Sequence, residues 1–228
     1  MKITFLGQSG FHIEIGGEAQ KHSVLIDPFL SGNELAVNSP DEFSPSHILL
    51  THAHGDHYGD TESIAKRSGA TVVSSFEIAN YVGAKDIQAH PMNPGGSRTF
   101  DFGKVTFTPA WHSSSFPDGT YGGMPMGIIL EAEGKRIYHA GDTALFSNRK
   151  LITRGGIDLA ILPIGDNFTM GPGDALEAVK MIEPDRVVPV HYDTFEVIEQ
   201  DPQAFKASVE SQTSSQCTVL EPGESLEL

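Results

Sequence analysis

The stretch LLTHAHGDHYGD, residues 49–60, puts three histidines and two aspartates within nine positions, directly after an apolar run. No other feature constrains the fold as strongly. A solvent-facing loop has no need of such imidazole density. A core accepts it only if something binds the ring lone pairs, because crowded imidazoles repel once protonated. Imidazole and carboxylate donors together suit Zn²⁺ and related divalent ions. His52 and His54, two apart on an extended segment, share one side. Gly55 then permits a sharp turn, and Asp56 and His57 follow on a helical turn, facing a second position beside the first. One ion takes only three or four protein ligands. The cluster alone offers that many, and further donors are expected from elsewhere in the chain.

Those further donors belong where strands run into loops. FTPAWHSSS places His112 there, IYHAGDTALF places Asp142 there, and VVPVHYDTF places His191 there. A lone histidine on a strand is usually a satisfied core or surface residue. The placement shared by all three marks them as candidates.

The surrounding pattern alternates strands with helices. KITFLG, FHIEI and SVLID read as strands, with Gly16-Gly17 as a turn between two of them. A loop rich in Pro, Ser and Asn runs from Pro28 to Pro45, and HILLT is a short buried strand. Residues 60–67 read as a helix capped by Asp60 or Thr61. TVVSS returns to strand, and FEIANYVG to helix, with Gly83 near its end. KVTFTPAWH alternates apolar and polar, and MGIILEAEGKRIYHAGD reads as a hairpin turning at Glu133-Gly134. IDLAILPI and RVVPVHY are strands, separated by the helix GDALEAVKMI, which Pro184 ends. Residues 202–212 suggest a last helix, before strands around Val219 and the C-terminus. Two runs of strands, each interleaved with helices, predict two packed sheets with helices outside rather than one doubly wound sheet. No linker or repeat divides the chain, so 1–228 is expected to be a single domain.

Taken together, THAHGDH, WH, HAGDT and VHYDTF resemble the metallo-β-lactamase superfamily, and within it the metal-dependent hydrolases related to ascorbate-phosphate lactonases. The resemblance runs from MKITFLG through LPIGDNFTMGP to VVPVHYDTF. It implies an α/β fold, an αββα four-layer sandwich of two mixed β-sheets with helices on the outer faces. It also implies two divalent ions, Zn²⁺ with Mn²⁺ as the alternative. His52, His54 and His112 would hold one ion; Asp56, His57 and His191 the other; Asp142 would bridge them. Asp27 resembles the acidic residue that hydrogen-bonds a ligand imidazole and fixes its tautomer. One departure is Gln8, in LGQSGF, where many relatives carry histidine. The position is no metal ligand in the pattern, so the change bears on the substrate wall.

The chemistry so implied is hydrolysis. Two ions roughly 3.5–4 Å apart lower the pKa of a bridging water and polarise the scissile oxygen. The resulting hydroxide would attack a small ester, lactone or phosphoester. Asp56 would orient it and shuttle its proton, and His191 would help surround the developing charge. Three other readings compete: a phosphodiesterase or nuclease of the same fold, a di-iron redox enzyme, and a metal-binding protein without turnover.

Charge and composition narrow the partners. A formal charge of −15 disfavours nucleic acid and anionic membranes, leaving a small-molecule substrate. From Glu183 onward ten acidic residues face only Arg186 and Lys206, which suggests a solvated surface. The single cysteine, Cys217, allows no intrachain disulfide and reads as a small buried hydrophobe. MKITFLG lacks the apolar core of a signal peptide and no run is long enough to span a bilayer, so a cytoplasmic protein is expected, with homo-oligomers compatible. His12, His22, His47 and His90 have no partner pattern, with His22 and His47 expected at the surface. His139 is expected to pack or support rather than ligate. Asp118, Asp166 and Asp174 read as loop and cap residues, with Asp166 and Asn167 also candidates to line a pocket. Residues 113–126 read as a pocket wall or lid, with Phe116, Tyr121 and Met124 as its apolar contacts.

Overall fold

In a computed structural model, which describes residues 1–17 and 21–228, the β-branched and aromatic runs pair into two seven-stranded sheets. Strands β1 (Lys2–Gly7), β2 (Gly10–Ile15), β3 (His22–Ile26), β4 (His47–Leu49), β5 (Thr71–Ser75) and β6 (Ala89–Met92) build the first sheet. Strands β7 (Ser97–Phe100), β8 (Gly103–Pro109), β9 (Met126–Ala132), β10 (Lys135–His139), β11 (Leu159–Pro163), β12 (Arg186–Val190) and β13 (Gln216–Cys217) build the second. The last strand, β14 (Ser225–Glu227), returns to the first sheet beside β1. Both sheets are mixed. β1 to β3 pair antiparallel and β3 to β6 parallel. β7 to β10 pair antiparallel and β10 to β13 parallel.

Helices α1 (Gly55–Tyr58), α2 (Thr61–Ser68), α3 (Phe76–Gly83), α4 (Arg149–Ile152), α5 (Pro172–Ile182) and α6 (Pro202–Gln212) follow in chain order. Alternation along each strand sorts residues between two faces. Val24, Ile26, Leu49 and Val73 meet Phe107, Ile128, Leu159 and Ile161 between the sheets. Leu25, Ile48 and Val72 turn outward and pack on Ile64 of α2 and Ile78 and Val82 of α3. On the other side Ala160, Leu162 and Val187 pack on Val179 of α5 and Phe205 and Val209 of α6. Strands covered on both faces read as continuous apolar runs, which is why HILLT and IDLAILPI look uniformly hydrophobic. The four layers are those expected, αββα.

Local chemistry sets the ends. Ser75 caps α3 by accepting from the Ile78 amide, and Asp201 caps α6 by accepting from the Gln203 and Ala204 amides. Glu133 and Gly134, both at positive φ (52° and 75°), turn the β9–β10 hairpin as a type I′ pair. Gly55 corrects an expectation: it opens α1 at ordinary φ, and the sharp turn falls at Gly59 (φ 40°). There a Cβ would lie 2.4 Å from the Pro28 carbonyl oxygen. Asp60 sits at the start of α2, yet its carboxylate accepts from the Leu30 and Ser31 amides instead of the helix. Of the turn at Gly16-Gly17, residues 18–20 lie outside the described residues. Cys217 is buried as expected, and burial pushes its thiol up to about 12. Among the described residues, no helix is long and apolar enough to cross a membrane.

Parallel strands β3, β4, β10, β11 and β12 end on loops that meet at one edge of the sandwich, the place where open α/β sheets collect ligands. The inter-sheet packing that holds those loops together can be probed at Phe107, which is fully buried. Phe107→Ala should cost about 3–5 kcal/mol in urea unfolding. Val197→Ser, at an exposed site, should stay within about 0.5 kcal/mol. Equal midpoints for the two variants would contradict the assigned core.

Candidate metal centre

All but one of the loops at this edge deliver donors or their supports, the exception being the loop after β11. Asp27 follows β3, His52 to His57 follow β4, His112 follows β8, Asp142 follows β10 and His191 follows β12. Two adjacent groups result, His52 with His54 and His112, and Asp56 with His57, Asp142 and His191. Within each, one donor atom per residue lies within 4.8 Å of the others. The three remote candidates therefore join the local cluster. Asp142 Oδ2 lies 3.0 Å from His191 Nε2, 3.2 Å from His57 Nε2, 3.5 Å from His112 Nε2 and 3.9 Å from His52 Nε2. One carboxylate oxygen is thus reached by imidazoles of both groups.

Behind the donors, hydrogen bonds decide which ring nitrogen faces inward. Asp27, fully buried, accepts from the Thr51 amide at 2.8 Å and from Thr51 Oγ1 at 2.5 Å. It also accepts from His57 Nδ1 at 2.8 Å. The Thr51 hydroxyl proton is thereby committed to Asp27. His52 Nδ1, 3.0 Å away, must then donate to Thr51 Oγ1. Nε2 of both His52 and His57 then faces the centre, that of His52 at 3.0 Å from His54 Nδ1. Asp27 does what the family resemblance implies, and Thr51, which the sequence reading passed over, extends its reach to a second imidazole.

Gln8 also differs from expectation. It is no substrate wall: its Nε2 donates to Asp56 Oδ2 at 2.8 Å, and its carbonyl accepts from the His191 amide at 2.8 Å. The turn between β1 and β2 makes this reach, with Gln8 at φ 53° and His191 at φ 58°. His139 supports from beneath, donating from Nε2 to the Ser9 carbonyl at 2.9 Å and accepting the Gly141 amide on Nδ1 at 3.1 Å. Gly141 is required there. At φ 62°, a Cβ would come within 2.7 Å of the Met126 carbonyl oxygen.

The remaining histidines stay out of the centre. His12 bonds Ser23 at 2.8 Å, His90 packs edge-on to Phe100 at 5.6 Å, and His22 Nδ1 lies 3.7 Å from Asp101. His22 and His47, expected at the surface, are half-buried. For His47 the cause is contact with Phe102, at a ring separation of 4.7 Å. Asp118 is a loop residue accepting the Thr120 amide, and Asp174 lies in the first turn of α5.

The two groups differ electrostatically. Burial pushes His52, His54 and His112 below the ordinary histidine value, so they are neutral at pH 7. Burial would also lower His57 and His191, but the carboxylates outweigh it. Asp142, Asp56 and Asp27 raise His57 well above its usual value, and Asp142 with Asp56 raises His191 to about 9. Burial would raise the Asp56 and Asp142 carboxyls, and these same two histidines hold both below the usual carboxylate range.

Does a cation fit? Asp142 Oδ1 is buried without a hydrogen-bond partner, and His57 Nε2 meets the other oxygen of that carboxylate at 3.2 Å without an aligned hydrogen bond. Unsatisfied buried donors and acceptors are rare and need an explanation. Here they sit among donors of the types divalent ions select. The residues fit such ions.

Above the donors opens a cavity of about 910 Å³. His54, Asp56, His112 and His191 form its polar end, and Phe29, Phe116, Phe168 and Phe195 line it elsewhere. Of residues 113–126, Phe116 does form a wall, stacked on Tyr81 with ring centroids 3.6 Å apart. Tyr121 and Met124 do not line it; both are exposed, because the segment folds back through the Gly122-to-Ser114 backbone hydrogen bond. Asp166 and Asn167 are likewise absent from the lining. They turn the backbone at positive φ and present Phe168 instead. Phe168 and Phe195 were missed, although an aromatic residue in a polar loop that follows a buried strand was a readable signal.

Comparison with known proteins follows the same lines. Residues 22–192 match the family described as Beta-lactamase superfamily domain. A UPF0173 metal-dependent hydrolase of Pelotomaculum thermopropionicum is 51% identical over 233 residues, covering 100% of both chains. One of Thermus thermophilus is 51% identical over 228 residues, covering 100% of this chain and 99% of its own. The solved structure of Igni18, a novel metallo hydrolase from Ignicoccus hospitalis, is 38% identical with a TM-score of 0.89, covering 100% of this chain and 98% of that one.

The electrostatic asymmetry has a measurable consequence. A cation entering the Asp56 group must expel a proton from His57 and another from His191, whereas the His52 group binds without proton loss. Calorimetry at pH 7 in buffers of differing ionisation enthalpy should report about two protons released per fully loaded chain. Affinity at the Asp56 group should rise with pH up to about 9, where His191 loses its proton unaided. Binding without proton release would refute the assignment. Thr51→Val, which keeps the shape and removes the hydroxyl, should weaken metal binding by about 10–100-fold with far-UV circular dichroism unchanged.

Proposed function

This chain belongs to the β-lactamase superfamily and, within it, to the UPF0173 metal-dependent hydrolases, and on that premise we propose that it holds two divalent ions and hydrolyses a small ester, lactone or phosphoester. In this reading His52, His54 and His112 hold one ion, Asp56, His57 and His191 the other, and Asp142 lies between. The donor set of imidazoles and carboxylates favours Zn²⁺, with Mn²⁺ second. The observation that carries the reading is the position of Asp142 Oδ2, within 3.9 Å of imidazole nitrogens from both groups. Because the donors come from loops of both sheets, residues 1–228 work as one catalytic domain.

When bound, the ions supply Lewis acidity and lower the pKa of water near them. The chain's own part is positioning and proton handling. Asp27 and Thr51 hold the rings of His57 and His52 so that the same nitrogen of each faces the centre. Gln8 takes Asp56 Oδ2, leaving Oδ1 to orient the attacking water and carry its proton to the leaving group. Asp56 suits this role because its side chain is 23% exposed beside the cavity, against 2% for Asp142. His191, at the cavity floor, stands where negative charge develops on the scissile group. Phe29 and Phe116 form apolar wall beside these groups, and Phe168 and Phe195 stand at the open rim. No serine or cysteine nucleophile enters the scheme.

Metal analysis of the purified protein, followed by a panel of esters, lactones and phosphodiesters with chelator controls, tests the reading. Chelation should abolish turnover, and Zn²⁺ or Mn²⁺ should restore it. Asp56→Ala and His191→Ala should each lose about a hundredfold or more in kcat/KM. Full turnover by chelated protein, or by either variant, contradicts these roles. Tight metal binding with no turnover across the panel would favour a non-catalytic metal protein.

A further inference from the structure

The cavity holds aromatic rings and, beyond the ions of the hydrolase reading, offers no lysine or arginine to an anionic substrate. Resting on the hydrolase reading above, we propose that it takes an uncharged ester or lactone carrying a flat hydrophobic group of about phenyl size, and disfavours phosphoesters. Water adds across the acyl C–O bond of such a substrate and gives a carboxylic acid and an alcohol.

Charge is the first support. Among the described residues, no lysine or arginine lines the cavity. Phosphate groups are ordinarily held by such cations, arginine above all. Once bound ions have displaced the His191 proton, the charged side chains at the polar end are Asp56 and Asp142, with Asp27 buried behind them. These carboxylates offset most of the charge that two divalent cations would bring. The chain as a whole carries −15, which repels anions at long range.

Shape is the second support. Phe116 is 2% exposed and fixed against Tyr81 and Tyr58, so it forms a rigid wall. Phe168 and Phe195 also line the cavity and are 54% and 40% exposed. A large ring left open to water beside a pocket is surface that a hydrophobic ligand can cover, and aromatic pairs gain further from stacked or edge-on contact.

Backbone hydrogen bonds fix where both exposed rings leave the chain. Phe168 follows Asp166 (φ 59°) and Asn167 (φ 39°). That turn is closed by the Thr169 amide on the Asp166 carbonyl at 2.9 Å and the Asp166 amide on the Met170 carbonyl at 3.1 Å. Phe195 is braced by the Ile198 amide on its own carbonyl at 2.9 Å, and the Asp193 amide meets the Ile198 carbonyl at 3.0 Å. Left-handed backbone at non-glycine residues is costly and persists where the surroundings enforce it, often at ligand sites. A preformed rim loses little entropy on binding.

The test compares ethyl phenylacetate, ethyl acetate and phenyl phosphate on metal-loaded protein, with Phe168→Ser and Phe195→Ser singly and together. The two ethyl esters share a leaving group, so their ratio reports the acyl pocket. Ethyl phenylacetate should exceed ethyl acetate in kcat/KM by about tenfold or more, and phenyl phosphate should be the poorest of the three. The phenylacetate preference should fall toward unity in the double variant. A separate binding readout uses phenylacetamide, followed by saturation-transfer NMR, which should give a signal in the wild type and lose it in the double variant. Esters turned over without phenyl preference, a preference untouched by the serine variants, or phenyl phosphate as the best substrate would each overturn the cavity assignment while leaving the hydrolase reading standing. Phe-dependent phenylacetamide binding without turnover of any ester would do the reverse.

Discussion

One fully buried carboxylate, Asp27, underlies the geometry of the site. It joins the ends of β3 and β4 by accepting three hydrogen bonds, two from Thr51 and one from His57. Its own amide donates to the Leu49 carbonyl at 3.1 Å. An unpaired buried charge is prohibitively costly, and these partners are what makes Asp27 tolerable there. The same bonds keep a proton on Nδ1 of both His57 and His52, so Nε2 of each is the atom a cation would meet. A loop with three histidines becomes an ordered set of donors because one oxygen pair behind it is already saturated.

Backbone conformation does related work. Gln8, Asp27 and His191 all sit at positive φ without being glycine. The Gln8 carbonyl and the His191 amide bond each other at 2.8 Å, so two of these positions hold one another. That bond crosses from the first sheet to the second and fastens the two halves of the donor set. Strain confined to the loops is affordable because the strands beneath are buried on both faces. Their side chains alternate between the inter-sheet core and the helix layers. The scaffold is stiff and the loops are specific, a common division of labour.

Much of this was legible in the residues. The strand runs other than the one expected around Val219, which ends at Cys217, stand with α3, α5, α6 and the Glu133-Gly134 turn where pattern placed them, because each owes its form to local periodicity or to a turn's φ requirement. Weakly patterned pieces were not legible: β6 (AHPM) and β7 (SRTF) carry little apolar alternation and are strands only because neighbours pair with them. α1 and α4 are too short for a helical period to show. Gly55 was misread for the opposite reason: a glycine invites a turn, while the close backbone approach that demands one falls at Gly59.

The residue types and their spacing determined by themselves that donors of imidazole and carboxylate type cluster after a buried strand, and that His112, Asp142 and His191 stand at comparable strand ends. Chemistry attaches to side-chain type, and strand periodicity tells which face a side chain takes. Tertiary structure alone decided that Asp142 lies between the two groups, that Gln8 steadies Asp56, that Thr51 relays Asp27 to His52, and that Phe168 and Phe195 rim the cavity. These depend on distances between segments far apart in the chain. Such distances follow from how two sheets pack and where their loops meet, and no local pattern encodes them.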